Sequence, residues 1–272
     1  MLQLIREQVK NWYRFFSSPA YREWLRIKRT CRLHPPQTTF TTRVNGYVLH
    51  VHDSASLLNQ YESIFVNRAY DFHFKNDAPV IFCCGANMGL EILYFKRRFP
   101  AAKIQAFEAD EKIVQLLHKN VEENAFTDVI VHHAAVWTSD GDISFEPDGA
   151  QGGRAGTGKD FVKAVRLADL LENELNIDLL VMDIEGAEYD VLRDCKHQLH
   201  RIDRLFVEWH SRTDRMQHLD ELLVLLQMTA FRYRLGNKLP EAPFINAPVE
   251  GGFDAMVEIY AERSGPVAGR AS

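Results

Sequence analysis

From residue 79 onward, short apolar runs alternate with amphipathic segments, and this alternation restricts the fold more than any other feature of the 272-residue chain. Such alternation is typical of β-α-β units, in which helices connect the strands of a parallel sheet. The predicted strands are residues 80–84, 103–108, 129–134, 179–184 and 204–208, and the predicted helices lie near residues 90–98, 110–124, 187–197 and 215–228. Five strands joined by four helices predict an α/β fold with a doubly wound sheet.

Two further strands are predicted at residues 232–235 and 253–261. The loop between them contains Pro240, Pro243 and Pro248. A proline-rich loop does not provide the helical crossover that a parallel pair requires, so we predict that these last strands are antiparallel. Between the third and fourth strands, the glycine-rich residues 140–163 predict a hairpin or a mobile flap.

The chain before the sheet, residues 1–78, is predicted to form a helical and hairpin extension, and residues 264–272 a disordered tail. The extension contains two amphipathic helices, a hairpin that turns at Asn45-Gly46 and a helix over residues 54–70. Residues 1–33 are strongly basic. A basic amphipathic helix can bind an anionic membrane, or it can pack on the protein's own body or on a second subunit. We therefore expect the extension to contact substrate, membrane or an oligomer partner.

Charge and composition exclude several classes of protein. The chain has a net charge of −5 although its first 33 residues are basic, so the remaining body is acidic. An acidic body predicts no nucleic-acid partner, because phosphate binding requires a basic surface. The sequence has neither an apolar run long enough to span a membrane nor a secretion signal. The expected location is cytoplasmic, with peripheral contact at the inner face of a membrane left open through residues 1–33.

A glycine-bearing turn and an acid follow the first two strands of the sheet. The segment CCGANMG, residues 83–89, has glycines at the strand end, where a ligand can approach the backbone closely. The spacing differs from the GxGxxG of dinucleotide-binding proteins, which disfavours a nicotinamide cofactor. Glu108 ends the second strand about twenty residues later, and an acid at that position accepts hydrogen bonds from the ribose hydroxyls of an adenosine.

The fourth and fifth strands end in acids and a histidine. Asp183 and Glu185 follow the fourth strand, and Glu208 and His210 follow the fifth, so all four are expected at one rim of the sheet. One hypothesis is that His210 acts as a neutral general base oriented by Glu208 or Glu185. The alternative is that these four residues bind a divalent cation, which we favour less because the acids also suit structural hydrogen bonds.

Five motifs in this order, CCGANMG, AFEAD, VRLADLL, MDIEGAE and FVEWHS, resemble those of the FkbM family of methyltransferases over about residues 43–236. The resemblance implies a Rossmann-like sheet of seven strands, a class I methyltransferase domain over residues 79–263, S-adenosylmethionine as methyl donor and O-methylation. It also implies a small-molecule or glycan acceptor, in particular a sugar hydroxyl of a surface polysaccharide. The expected donor-binding residues are Cys83, Gly85, Ala86, Asn87, Gly89, Glu108, Ala109, Ala135 and Asp183. The candidate catalytic residues, taken from their positions at the strand ends, are His210, Asp183, Glu185 and Glu208.

The sequence departs from the resembled family at two positions. Cys83 replaces an acid that would accept a hydrogen bond from the donor's amino group, and Val181 replaces a lysine two residues before Asp183. Three classes of function therefore remain. The first is an active O-methyltransferase, the second a catalytically degenerate donor-binding or scaffold protein, and the third a nicotinamide-dependent oxidoreductase.

Overall fold

The computed structural model describes residues 15–147, 153–156, 158–237 and 253–264. The extension contains α1 (Pro19–Cys31), the predicted hairpin of β1 (Phe40–Val44) and β2 (Tyr47–Val51), and α2 (Ser54–Tyr61). The last of these continues as a π-helical turn, Glu62–Val66, and therefore ends before the predicted residue 70. The predicted first helix falls almost entirely on residues 1–14, which lie outside the described part of the chain.

Seven strands form the central sheet. After the extension, the elements are β3 (Val80–Cys84), α3 (Leu90–Arg98), β4 (Lys103–Glu108), α4 (Glu111–Glu123), β5 (Val129–His133), β6 (Ala135–Trp137), β7 (Gly141–Glu146), β8 (Arg154–Ala155), β9 (Asp160–Arg166), α5 (Leu167–Glu172), β10 (Leu179–Met182), α6 (Glu188–Asp194), β11 (Arg204–Arg212), α7 (Leu219–Met228), β12 (Phe231–Asn237) and β13 (Phe253–Arg263). The order of the strands across the central sheet is β12-β13-β11-β10-β3-β4-β5. Strands β5, β4, β3, β10 and β11 are parallel, and β13 is antiparallel to both β11 and β12. The prediction of a doubly wound, seven-stranded sheet with an antiparallel final pair is confirmed.

Strand order reverses between β3 and β10, which lie side by side although almost a hundred residues separate them. Chain segments on the two sides of this point leave in opposite directions, so a crevice opens at the carboxyl ends of the two strands. Both strands are almost wholly buried, because helices cover the two faces of a parallel sheet. The fold thus creates its ligand-sized opening beside the end of β3 and the end of β10.

The largest difference from prediction lies between the third and fourth parallel strands. A separate sheet of order β6-β9-β7-β8 forms there, and α5 then leads into β10. The predicted hairpin is present as the antiparallel pair of β7 and β9. The prediction missed β6 and α5 because both are short. Residues 148–152 and 157 of the predicted flap, the three prolines of the later loop and most of the tail lie outside the described residues.

Boundaries of several elements also differ from prediction. The fifth parallel strand, β11, extends to Arg212 because β13 pairs with it along its whole length. The fourth ends at Met182 rather than residue 184, and α7 begins at Leu219 rather than 215. The longer β11 places His210 within a paired strand, so its backbone is more firmly held than that of a loop residue.

Helix α1 packs on the protein's own body. Ser18 accepts a hydrogen bond from the Tyr21 amide and Pro19 occupies the first turn, which together begin the helix. Tyr21, Ile27 and Cys31 are buried, so the apolar side of α1 faces the core. In the described ranges, no helix is both long and apolar enough to cross a membrane.

The turn after β3 depends on a glycine. Gly85 has a φ of +85°, and a β-carbon added to it would lie 1.8 Å from the carbonyl oxygen of Asp183. The amides of Gly85 and Ala86 both donate to the Phe107 carbonyl oxygen, at 3.0 and 2.8 Å. The turn is therefore held on one side by β4 and approached on the other by the chain that leaves β10.

We expect Gly85→Ala to destabilise the protein by at least ~3 kcal/mol, because a backbone oxygen cannot move away as a side chain can. Gly46→Ala is the matched control. Gly46 also has a positive φ, +95°, but has nothing within 4 Å of the added carbon, so only the backbone strain of about 1–2 kcal/mol applies. Urea unfolding of both variants measures the difference, and equal losses of stability would contradict the close packing of this turn.

Candidate functional site

One cavity, called the first cavity below, lies at the carboxyl ends of the parallel strands and is lined by most of the predicted site residues. Glu108, at the end of β4, lines it on one side of the Gly85 turn, and Asp183, Glu208 and His210, at the ends of β10 and β11, line it on the other side of that turn. It encloses about 840 Å³ of empty space, including the part open to solvent. Residues from the ends of these strands therefore lie around one cavity, as the sequence analysis expects.

Glu108 is held by the backbone on both of its carboxylate oxygens. The Asn87 amide donates to one oxygen at 2.9 Å, and the Asp110 amide donates to the other at 2.8 Å. Burial raises the pKa of Glu108 to about 7, although the hydrogen bonds from Asp110 and Asn87 act in the opposite direction. Each carboxylate oxygen has a second lone pair, so Glu108 can still accept hydrogen bonds from a bound ligand.

Most of the other predicted donor-binding residues lie on the cavity walls. Asn87, Ala109 and Ala135 line the first cavity. Ala86 and Gly89 line none of the described cavities. Ala86 is fully buried with its amide bonded to Phe107, and the Gly89 amide donates to the Ala86 carbonyl while its Cα faces α4. Both residues shape the turn, and their role in donor binding stays a prediction.

Apolar residues complete the first cavity on the side of Glu108. The apolar lining comes from Phe107, Ile113, Val136 and Phe145. Phe145 belongs to β7, so the small additional sheet contributes a wall that the sequence did not predict. An apolar slot beside a carboxylate fits a flat heterocycle that carries a hydroxylated sugar.

A buried pair, His210 and Glu188, forms the centre of the opposite side. The Nδ1 atom of His210 lies 3.1 Å from a Glu188 carboxylate oxygen, and only 2% and 1% of the two side chains are exposed. The same carboxylate accepts hydrogen bonds from the amides of Ile184 and Gly186. Glu188 therefore fixes both the histidine ring and the segment that connects β10 to α6.

Two more carboxylates face the other ring nitrogen. The Nε2 atom of His210 lies 3.6 Å from Glu185 and 3.9 Å from Asp183. Burial alone would lower the pKa of His210, but Glu188, Glu185 and Asp183 raise it to about 10. These three carboxylates favour the imidazolium form. The neutral base of the sequence analysis stays a prediction that this environment does not support, and the hydrogen bond that orients the ring comes from Glu188.

Asp183 is the most strongly perturbed acid of the cavity. Burial, followed by the charges of Glu208 and Glu185, raises its pKa well above the usual range, and only His210 acts in the opposite direction. Its Oδ1 atom is buried and has no hydrogen-bond partner among the described residues. Perturbed acids with unused hydrogen-bonding capacity in a crevice are common at catalytic sites.

A metal ion is the alternative occupant of this cluster. Asp183, Glu188 and His210 offer one ligand atom each, all within 4.8 Å of one another. Glu188, however, already accepts hydrogen bonds from two backbone amides, which a metal would have to displace or share. The imidazolium already supplies a positive charge. These contacts favour a metal-free cluster.

Two functional contacts were missed by the sequence analysis. Glu188 belongs to the MDIEGAE motif, which has three acids within six residues. The sequence does not indicate which of the three has a buried side chain. His52 of the extension lies 2.8 Å from the Asn87 side chain and supports the turn after β3 from outside the sheet. No local signal links residues that are 35 positions apart.

The chain is similar to known methyltransferases. The model of the methyltransferase FkbM domain matches residues 84–235. Methyltransferase sdnD of Sordaria araneosa is 29% identical over 172 residues, which cover 49% of this chain and 66% of that protein. Methyltransferase 1 of Beauveria bassiana (strain ARSEF 2860) is 29% identical over 161 residues, with 49% and 65% covered. The chain thus spans slightly less than two thirds of these relatives' length.

Two solved structures are similar in fold. Methyltransferase FkbM from Methylobacillus flagellatus KT has a TM-score of 0.49 and 16% identity, and the match covers 76% of this chain and 53% of that one. TYW2 of M. jannaschii in complex with AdoMet has a TM-score of 0.46 and 12% identity, with 85% and 89% covered.

The raised pKa of His210 predicts how stability depends on pH. Its folded-state pKa of about 10 exceeds the unfolded value of ~6.5, so the stabilisation is complete below about pH 6.5 and is lost as pH rises through 10. Between pH 7 and 10, the free energy of unfolding should fall more steeply in the native protein than in His210→Gln, by at most ~1.4 kcal/mol per pH unit.

Urea unfolding at several pH values measures these slopes. His197→Gln, a substitution at an exposed histidine, is the control and should leave the slope of the native protein unchanged. Parallel curves for the native protein and His210→Gln would show that the ring is not held as a cation.

Proposed function

The chain belongs to the FkbM family of methyltransferases, and from this premise we propose that it transfers a methyl group from S-adenosylmethionine to a hydroxyl oxygen of a sugar. The observation that carries the proposal is that Glu108, Asp183, Glu185, Glu208 and His210 line one cavity. The acid proposed to bind the ribose and the cluster proposed to accept the proton thus lie on the two sides of the turn after β3. The donor's methyl group and the acceptor hydroxyl would meet between them.

The residues present fit an adenosyl group. Glu108 would accept hydrogen bonds from the ribose hydroxyls, and the apolar wall that includes Val136 and Phe145 would pack on the adenine. When bound, the donor supplies a methyl group on a positively charged sulfur, a carbon already activated for displacement. What the protein must add is alignment of the acceptor oxygen and removal of its proton.

Asp183 is the proton acceptor in this proposal. Asp183 lines the first cavity and 39% of its side chain is exposed, so an acceptor hydroxyl can reach it, and its raised pKa makes it more basic than an ordinary carboxylate. Asp183 would take the hydroxyl proton as the acceptor oxygen is methylated. His210, 3.9 Å from Asp183, would act as a positioning cation that keeps a sufficient fraction of Asp183 ionised.

The chemistry of the rim supports a neutral, hydroxyl-rich acceptor. Asp183, Glu185 and Glu208 present carboxylate oxygens, which accept hydrogen bonds from hydroxyl groups and repel anions. A polyol such as a sugar unit of a polysaccharide or glycoconjugate supplies the matching donors. Phosphorylated acceptors are disfavoured by the same charges.

A catalytically degenerate donor-binding protein is the second candidate, because Cys83 and Val181 depart from the resembled family. Both side chains are buried beside the crevice. A nicotinamide-dependent oxidoreductase comes third, since the turn after β3 lacks the dinucleotide spacing. Calorimetry with S-adenosylhomocysteine and with NAD separates the third candidate from the first two.

The test of the proposed function combines S-adenosylmethionine with a panel of sugars and detects the methyl ether by mass spectrometry. With the acceptor that this screen identifies, Asp183→Asn should lower kcat by about 10²- to 10⁴-fold, because the proton acceptor is lost. Its affinity for S-adenosylhomocysteine should change little. Donor binding without methylation of any hydroxyl would favour the degenerate protein.

His210→Gln tests the positioning role. Without the imidazolium, the pKa of Asp183 should rise further, so the acid limb of the pH–rate profile should move to higher pH. A uniform drop in kcat with an unchanged profile would contradict the role, since that result fits a merely structural contribution.

Chelation tests the metal alternative. We expect an excess of EDTA, followed by its removal, to leave kcat unchanged, because the Glu188 carboxylate is already engaged by backbone amides and the imidazolium provides the local positive charge. Added magnesium should have no effect on the treated enzyme. Loss of activity that magnesium restores would reverse the order of the two hypotheses.

A further inference from the structure

A second cavity adjoins the first and is not used by the proposed mechanism. Gln60, Gly85, Asp183 and Glu208 line both cavities, so the two form neighbouring parts of one crevice. Residues that line only the second include Ser63, Tyr70, Cys83, Glu91 and Val181. Its walls come from the π-helical turn of the extension, the end of β3 and the first turn of α3.

Glu91 is a buried acid that lines the second cavity. It belongs to the first turn of α3, and only 6% of it is exposed. Its Oε1 atom is buried and has no hydrogen-bond partner within the described ranges. A buried carboxyl oxygen without a partner is costly, and such groups in native proteins call for a reason.

A second unpartnered oxygen lines the same cavity. The side-chain carbonyl oxygen of Gln60, on α2, is also buried and lacks a partner in the described part of the chain. Two residues on different elements that line this cavity therefore each have an unpartnered oxygen. A group that satisfies either oxygen must be a hydrogen-bond donor, and the carboxyl of Glu91 favours a positively charged one.

An ammonium group matches these requirements. It has three N–H donors and no acceptor, and it carries the charge that complements a carboxylate. The donor of the proposed reaction has an amino-acid part that extends from its nucleoside and ends in an ammonium and a carboxylate. With the nucleoside beside Glu108, the adjoining second cavity is the space that remains for that part.

We propose that Glu91, with Gln60, binds the α-ammonium group of the donor's methionine part in the second cavity. The inference rests on the proposed function, because it takes the donor as S-adenosylmethionine. It gives the departure at Cys83 a physical meaning. The negative charge has moved from the strand to the following helix, and Cys83 remains as a neutral wall of the same cavity.

The electrostatic state of Glu91 supports this assignment. Burial, followed by the charge of Glu108, raises the pKa of Glu91 to about 8. Without a ligand, the carboxyl is therefore largely neutral at pH 7. An ammonium beside it stabilises the ionised form and reverses that shift, so a cation relieves the unfavourable environment of this group.

The experiment is calorimetry on the full chain with two ligands. S-adenosylhomocysteine has the ammonium, whereas 5′-methylthioadenosine has the same nucleoside and lacks both ammonium and carboxylate. Glu91→Gln should weaken binding of S-adenosylhomocysteine roughly 10- to 100-fold, because a charge-assisted hydrogen bond is lost. Binding of 5′-methylthioadenosine should stay unchanged, which also shows that the variant is folded. Glu108→Gln is the matched control and should weaken both ligands.

The outcomes separate the inference from the proposed function. If the native protein binds neither ligand, the proposed function fails. If it binds S-adenosylhomocysteine and Glu91→Gln binds it equally well, a buried water satisfies Glu91 and only the inference is overturned. Equal weakening of both ligands would mark Glu91 as structural. Tighter binding of S-adenosylhomocysteine by Glu91→Gln would show that the ligand's carboxylate occupies the cavity, which also overturns the inference.

Discussion

The carboxylate of Glu188 is the contact on which the arrangement of the site depends. It accepts hydrogen bonds from the amides of Ile184 and Gly186 and holds the Nδ1 side of His210 at 3.1 Å. These bonds fix the connection from β10 to α6, where Glu185 takes a φ of +59°. Such backbone is unfavourable for a residue with a side chain, so it persists because its surroundings hold it. Removing one partner would leave a buried charge uncompensated.

The imidazolium that Glu188 holds explains how several acids can share one crevice. Asp183, Glu185 and Glu208 line the first cavity together, and burial, followed by the charges of the other two acids, raises the pKa of Asp183. A single buried cation lowers that repulsion without removing it. The result is an Asp183 carboxylate more basic than an isolated one, on the other side of the Gly85 turn from Glu108. The proposed division of the crevice into a nucleoside side and a proton-accepting side follows from the order of β4, β3, β10 and β11 in the sheet.

The sequence predicted the parts of the site that lie at strand ends. The runs that become β3 and β10 are apolar and continuous, and the run that becomes β4 alternates between polar and apolar residues, so the positions of Gly85, Glu108 and Asp183 could be placed at one edge of the sheet. The roles of Glu188 and Glu91 could not be predicted. An acid in the first turn of a helix is usually explained by the helix dipole, and only coordinates show that these two carboxyls are buried. Likewise, β6 and β8 are too short for a periodic signal, and the predicted hairpin of β7 and β9 did not indicate where it packs, so the wall formed by Phe145 appeared only in the structure.

The central claim is that the turn after β3 and the acid at the end of β4 bind an adenosyl group together. A crystal structure of the complex with S-adenosylhomocysteine tests it most directly. The account predicts the two ribose hydroxyls within hydrogen-bond distance of Glu108, with the adenine between Val136 and Phe145. A nucleoside bound away from Glu108, or a crevice that remains empty at saturating ligand, would contradict it.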